Sequence, residues 1–351
     1  MIGYLYETIP SYEVLDHILS DYNMDIEYSM NVNIIIDYKQ FIRKIFREPN
    51  NFEDENLDSN LLVEEISSAL LNIIGHYRNY FYKQGKYTTF YILYSRNRCK
   101  DFVKLNENYK KEFYEKYIFG NKHRNAFANK VTNIVEIISK YIPHCIFADT
   151  TDYDEASYIN AIINASNENE YNILLSDDIC LYSLLNKNTV ALNLKGSNTE
   201  LITEDNVCKT IFKDKTLKFS KNMIPVILSL SGYEKYSLNG LKNVKYKKAC
   251  KIVNQLLYDS YIQDVEYLDF PIKINHIEDF LNNEAHFEEI ENNFYLITSY
   301  NKKSSFESSA IGVKLFDIPK IISISEMNKI NNRYFSTFSL NLDMIWKGER
   351  I

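Results

Sequence analysis

Apolar positions along this chain follow two periods in turn, and the alternation predicts strands interleaved with helices. Val14, Leu15, Ile18 and Leu19 fall on one helical face after Ser11, a residue suited to capping. The run Asn33-Ile34-Ile35-Ile36-Asp37 then reads as a strand buried on both sides and ending in an acid. Tyr38, Phe41, Ile42, Ile45 and Phe46 keep helical spacing until Pro49, and an acidic, Asn-rich loop runs to Asn60. An amphipathic helix over 61–84 leads into the β-branched and aromatic stretch Tyr87 to Leu93, a second strand. Helix 125–141, strand 144–148, helix 155–166, strand 171–176, a short helix over 179–186 and strand 189–194 follow. This order predicts the α/β class, with a mainly parallel central sheet and helices on both faces. Segments 204–212, 222–231 and 245–258 read as helices. Beyond Pro271 come short strand-like runs (Phe294 to Ile297, Ile311 to Val313, Ile321 to Ile324, Tyr334 to Leu342), which predict a distinct, β-containing carboxyl-terminal part.

Composition narrows the picture. With 351 residues the chain can bury a full core, and its 45 % hydrophobic and 25 % charged content is that of a folded protein. A formal net charge of −7 means that any polyanion site must be a local basic patch on an acidic background. The five cysteines (Cys99, Cys145, Cys180, Cys208, Cys250) are odd in number and never form a C-x-x-C pair, which argues against a disulfide framework or a zinc knuckle and for a reducing compartment. The amino terminus lacks a signal-peptide layout, and no run reaches the about 18 apolar residues that span a bilayer. The expectation is a soluble, cytoplasmic protein without a membrane partner. P-loop, G-x-S-x-G and G-x-G-x-x-G motifs are all absent.

The candidate chemistry is acidic. Asp37 ends the first strand, Asp152, Asp154 and Glu155 open a helix, and Asp177 and Asp178 follow another strand. Acids at the carboxyl ends of neighbouring parallel strands converge on the crevice where open α/β sheets bind ligands. Oxygen-only ligands suit Mg²⁺ or Mn²⁺, and such an ion would relieve the repulsion among Asp37, Glu155, Asp177 and Asp178. The plainer reading of each acid taken singly is a helix cap. Residues 96–130 form a basic, aromatic stretch, with Arg96, Arg98, Lys110, Lys111 and Lys116 interleaved with Tyr109, Phe113 and Tyr117. It could hold a phosphate backbone and stack bases, or be a solvated helical excursion. Lys245, Lys247 and Lys248 stand where a helix amino terminus would offer N–H groups to a phosphate, or simply begin a charged helix.

Taken in order, these segments resemble the bacteriophage 5′-3′ exonuclease and flap endonuclease family, which is related to the 5′-nuclease domain of DNA polymerase I and to PIN-like proteins. Asp37 matches the family's strand-end acid, Glu155-Ala156 the start of its acidic helix motif, and Ser176-Asp177 its S/T-D-x-D strand end. Gly232 to Ile252 overlays the family's helix-three-turn-helix without a gap and retains Gly232, Gly240, Val244 and Lys247, while Leu93 to Tyr117 follows the stretch that enters the family's helical arch. Departures are numerous. Acids expected after the second strand and after Glu155-Ala156 are Ser95, Ser157 and Tyr158. The second acid of S/T-D-x-D is Ile179, both acids of the helix-three-turn-helix are Tyr233 and Tyr236, and two of its glycines are Asn243 and Lys245.

The resemblance implies a nuclease-like sheet domain over 1–200 with a basic arch at 96–130, a helix-three-turn-helix annex over 201–265, and a carboxyl-terminal region, 266–351, without an assigned role. It also implies a phage-encoded, metal-dependent 5′ nuclease acting on DNA in the host cytoplasm. Asp37, Glu155 and Asp177, with Asp178, would hold Mg²⁺ or Mn²⁺ and serve catalysis. Arg96, Arg98, Lys110, Lys111, Lys116, Lys245, Lys247 and Lys248 would contact nucleic acid. Because most acids of a second ion are missing, a degenerate nuclease-fold protein that binds nucleic acid or assembles with phage proteins stands beside this reading. A PIN-type ribonuclease is a further alternative.

Overall fold

Seven residues, Asn31–Asp37, form β1, and its three successive isoleucines are fully buried. In a computed structural model of the chain, the described residues are 15–16, 31–38, 59–111, 122–140, 142–193, 200–213, 220–258 and 285–298. After β1 come α1 (Ser59–Lys83), β2 (Tyr87–Tyr94), α2 (Lys100–Leu105), α3 (Lys122–Ser139), β3 (Cys145–Asp149), α4 (Glu155–Ala165) and β4 (Glu170–Leu175). A 3₁₀ turn over Ile179–Leu184 precedes β5 (Thr189–Asn193), β6 (Glu200–Ile202) and α5 (Val207–Phe212). Then follow α6 (Ile224–Ser231), a hairpin of β7 (Gly232–Tyr233) and β8 (Leu238–Asn239), α7 (Tyr246–Tyr258) and α8 (Ala285–Thr298).

The six strands lie in the order β3-β2-β1-β4-β5-β6, parallel except for the β5–β6 pair. From β1 the chain first builds outward through β2 and β3 and then crosses back to β4, so the order reverses between β1 and β4. Crevices open at such a reversal, outside the carboxyl ends of the strands. Strand alternation puts Ile35, Tyr91, Leu93, Leu174 and Ala191 in one core with Tyr158, Ile159 and Ile162 of α4. The other face, with Ile34, Ile36, Phe90 and Ile92, carries α1 and α3, which pack on each other and on β2 and β3. Each fully buried isoleucine contributes about 1.5–3 kcal/mol. Asn33 and Asn172 tolerate the interior because their side chains bond each other at 3.0 Å and reach Ser166 and Thr189.

Most predicted elements stand within two or three residues of their expected bounds. One does not: Phe294 to Ile297, read as strand-like, lies in α8. Ile290, Phe294 and Ile297 recur at helical spacing and join the main core beside α6, a period that a four-residue apolar run cannot display by itself. The short antiparallel β6 was not foreseen. The runs at 311–313, 321–324 and 334–342, the helix over 38–47 beyond Tyr38, and Lys116 lie outside the described residues. No described helix is long and apolar enough to cross a membrane.

The β7–β8 hairpin closes so tightly that a Cβ on Gly240 would stand 2.1 Å from the Gly232 nitrogen, and Gly232 itself has φ +74°. Gly240→Ala should therefore destabilise the protein by about 3 kcal/mol or more, read as a fall in urea midpoint. All five cysteines are buried and none is in a disulfide, and burial pushes the Cys145 thiol up to about 12. A thiol reagent at mildly alkaline pH should label none of them until denaturant is added.

Candidate active-site crevice

Asp37, Asp177 and Asp178 stand at or just beyond the carboxyl ends of two neighbouring strands, where the sheet order reverses. Asp37 is the last residue of β1, beside β4, and its carboxylate accepts a 2.9 Å bond from Ser176 Oγ just beyond β4. Asp177 and Asp178 come next in the chain. Asp178 caps the 3₁₀ turn, accepting from the Cys180 N–H at 3.1 Å and from the Tyr233 hydroxyl at 2.8 Å. Into this group reaches Lys235, which lies in the link between β7 and β8. Its Nζ is 3.1 Å from Asp177 Oδ1 and 3.4 Å from Asp178 Oδ2, with only 11 % of the side chain exposed. Burial lowers the Lys235 pKa, but attraction by Asp178, Asp177 and Asp37 outweighs it and leaves the ammonium held above its usual range.

A second group lies beside the first. Lys110, predicted to contact nucleic acid, is buried, and its Nζ is 2.7 Å from both oxygens of Asp154 and 3.4 Å from Glu155 Oε2. The Tyr109 hydroxyl adds a 3.3 Å bond to Asp154, and the ammonium lies 4.4 Å from the centre of the Tyr236 ring. The Lys110 N–H also donates to the Tyr236 carbonyl at 2.8 Å, tying the basic segment to the hairpin link. Asp154 has φ 68° and ψ 153°, a conformation nearly confined to glycine, and Lys110 has φ 53°. Such backbone persists only where surrounding bonds over-determine it, and here they are the ion pair and the cap to the Ala156 N–H. Cys180 and Tyr236 lie within electrostatic reach of both groups, so the two form one network.

Burial first, and the nearby acids next, raise Tyr233 well above the ordinary phenol range; the same two causes act on Tyr109. Both remain neutral donors to carboxylates. Tyr236 is raised in the same way. Sequence alone offered no sign of Lys235 as a partner of Asp177, 58 residues away. The available clue was local: the element has Tyr233 and Tyr236 where the resemblance expects acids, and it places a lysine between them.

The other predicted residues fall into two sets. Arg96 pairs with Glu136 at 3.0 Å and Asp149 at 3.2 Å, while Arg98 donates to the carbonyls of Glu107 and Tyr109. Lys111 is exposed. Lys242, Lys245, Lys247, Lys248 and Lys251 are exposed around the turn and first part of α7, a stretch without an acid. Ala249, Cys250 and Val253 hold that helix to the core. Three positions where the resemblance expects acids carry hydroxyls instead. Ser95 donates to the Asn97 carbonyl at 2.7 Å, Tyr158 donates to the Asp149 carbonyl at 3.4 Å, and Ser157 is buried with no hydrogen-bond partner for its Oγ.

Of the acids that would have to hold Mg²⁺ or Mn²⁺, Glu155, Asp177 and Asp178 are paired with ammonium groups, and Asp37 accepts from the Ser176 hydroxyl. Among the described residues no three Asp, Glu, His or Cys side chains come together so as to hold a metal ion. The residues as folded do not fit that ion.

Solved structures with similar folds come from bacteriophage T5. One is a flap endonuclease, an aspartate-to-lysine variant described as a pseudo-enzyme–product complex with DNA and metal ions. It is 12 % identical, with a TM-score of 0.52, over 90 % of this chain and 99 % of that one. Another, the 5′-exonuclease with divalent zinc ions bound, is 12 % identical with a TM-score of 0.51 over the same shares. A third, co-crystallised with metal ions, is 11 % identical with a TM-score of 0.50 over 89 % of this chain and 99 % of that one. Neither a protein-family model nor a curated protein matches the sequence. At this identity the likeness shows the fold, a mostly parallel six-stranded sheet flanked by helices, and leaves the chemistry to the residues.

Removing one partner of a buried ion pair leaves an uncompensated charge that costs about 3–5 kcal/mol. Lys110→Met should lower the unfolding free energy by that amount, and pairing it with Asp154→Asn should recover part of the loss in a double-mutant cycle of denaturant melts.

Proposed function

We propose that this protein binds nucleic acid on a 5′-nuclease fold and does not hydrolyse it, its acidic crevice being neutralised by its own lysines. One observation carries the reading: the two lysines nearest the acids are turned inward and paired, whereas the lysines of 242–251 are turned out. Inward ammonium groups occupy the places a hydrolase would give to ions that activate water. Outward ones, at the start of a helix whose free N–H groups favour anions, supply sequence-independent attraction to phosphates. The phage T5 flap endonuclease variant with lysine in place of an aspartate, seen in a complex with DNA and metal ions, supports a nucleic-acid ligand for this fold. DNA is the preferred ligand because that structure contains it, and RNA is the comparison.

A second reading, metal-dependent hydrolysis of DNA, is favoured by the survival of Asp37, Asp177 and Asp178 at the sheet reversal and by metal ions in the phage T5 structures. One experiment separates the two. Labelled flapped DNA, single-stranded DNA and RNA are incubated with wild type, Asp37→Asn and Asp177→Asn in Mg²⁺ or Mn²⁺, and binding is measured across salt. The expected outcome is binding without cleavage in all three proteins. Neutralising Lys245, Lys247 and Lys248 should weaken binding uniformly and reduce the salt slope by about one unit per lysine. Cleavage by wild type that Asp37→Asn abolishes would establish the hydrolase, and binding indifferent to the three lysines would end the nucleic-acid reading.

A further inference from the structure

We propose that α5 and α7 together form a surface for single-stranded nucleic acid, on which the ring of Tyr246 stacks an unpaired base between lysines of the two helices. This deepens the nucleic-acid reading of the lysines at 242–251 and rests on it. Placement carries it first. The Phe212 ring at the end of α5 meets the Tyr246 ring at the start of α7, with centroids 6.3 Å apart and planes tilted by 58°. That contact brings two further exposed lysines, Lys209 and Lys213, alongside those that flank Tyr246. Both lie outside the helix-three-turn-helix stretch, Gly232 to Ile252. Residues 206–213 and 238–258 contain no acid, although the whole chain carries a net charge of −7. Surface charges act on a common partner over about 8–10 Å, so the two helices present one positive region.

The second support is the ring itself. Tyr246 is 39 % exposed and stands between the exposed Lys245 and Lys247. Among the described residues the other large apolar or aromatic side chains left in solvent are Tyr82, Tyr87 and Leu105, and none of these has an exposed lysine on both sides. A duplex keeps its bases stacked on one another and offers such a ring little, whereas a single strand offers phosphates to the lysines and base faces to the aromatic group. Tyr246 is also held in place. Its ring leans on Phe212, and burial first, then Cys180 and Asp178, push its hydroxyl up to about 12, so it stays a neutral phenol within electrostatic reach of the crevice. A ring already fixed loses little freedom when a base settles on it.

Backbone geometry adds a third observation. Lys213 closes α5 in the left-handed region, with φ 52°, and Asn243 turns the chain towards α7 at φ 63°. Glycine is the usual residue in such positions. A lysine at 213 keeps a charge beside Phe212 that a glycine would not supply, at some cost to the backbone.

The probes are a labelled single-stranded oligodeoxythymidylate, a blunt DNA duplex of equal length and, as a polyanion without bases, inorganic polyphosphate, each titrated against the full chain across salt. Tyr246→Ala should weaken binding of the single strand about five- to a hundredfold with its salt slope unchanged. Its binding of duplex and of polyphosphate should match wild type, and Tyr246→Phe should match wild type on all three probes. Replacing Lys209 and Lys213 by Gln should lower the single-strand salt slope by about 0.7 unit per lysine. The proposal is overturned if folded Tyr246→Ala holds the single strand as wild type does, if it loses all three probes equally, or if the two α5 substitutions leave the slope unchanged. Should Tyr246→Ala be unfolded by circular dichroism, the fluorescence of Tyr246→Trp read against wild type decides: quenching by the single strand and not by polyphosphate supports stacking, and no quenching overturns it. Binding that needs Lys245, Lys247 and Lys248 but ignores Tyr246 ends this inference alone, whereas binding to no nucleic acid at all ends the reading beneath it as well.

Discussion

Repulsion among carboxylates crowded at one edge of a sheet is the constraint around which this protein is arranged. Parallel strands whose order reverses between β1 and β4 bring Asp37 and the residues after β4 side by side, and the helix after β3 adds Asp154 and Glu155 nearby. The backbone topology fixes Asp37 at the end of its strand, and the short segments after β3 and β4 bring the other acids to the same edge. Something positive must stand among them, or they must protonate. Here the positive groups come from elements distant in sequence, Lys110 from the basic segment and Lys235 from the link of a two-stranded hairpin. Each ion pair therefore also fastens an outlying element to the sheet.

That double role explains the strain found at the crevice. Asp154 adopts a glycine-like conformation, which costs of order 1–3 kcal/mol and persists only because several bonds converge on its carboxylate. A glycine at 154 would relieve the backbone and abandon Lys110; an asparagine would keep the cap and weaken the pair. The close approach of Gly232 and Gly240 is the comparable feature under Lys235, since it shapes the hairpin that delivers the ammonium. Local conformational cost at both places is met by electrostatics at the shared edge.

How much of this could be read in the sequence follows from which interactions are local. Strand-end acids, the isoleucine run of β1 and the helix caps at Asp154 and Asp178 are written within a few residues, and periodicity with chain order sufficed to bring Asp37 and Asp177 to one crevice. Lys110 was legible as a cation but not as a buried one, because burial depends on Tyr236, more than a hundred residues further along the chain. Lys235 was invisible for the same reason: Asp177 is distant, and a lysine beside a glutamate in a short polar link looks solvated. Phe294 to Ile297 failed differently, since four apolar residues carry no period and the partner that selects helix is α6.

Substitutions that look like loss when taken singly become coherent when taken together. Tyr233 and Tyr236 stand where the resemblance expects acids and add no negative charge, and the same element supplies Lys235, which pairs with Asp177 and Asp178. Asp178 has partners from a hydroxyl, an amide and an ammonium group, so its charge is fully met inside the fold. Meanwhile the lysines at the start of α7 are exposed and have no acid in their stretch of chain. The two lysine sets carry the same charge and differ in what surrounds them. One is enclosed by carboxylates and aromatic rings and fastens the fold, and the other faces solvent on an overall acidic chain and concentrates positive charge there.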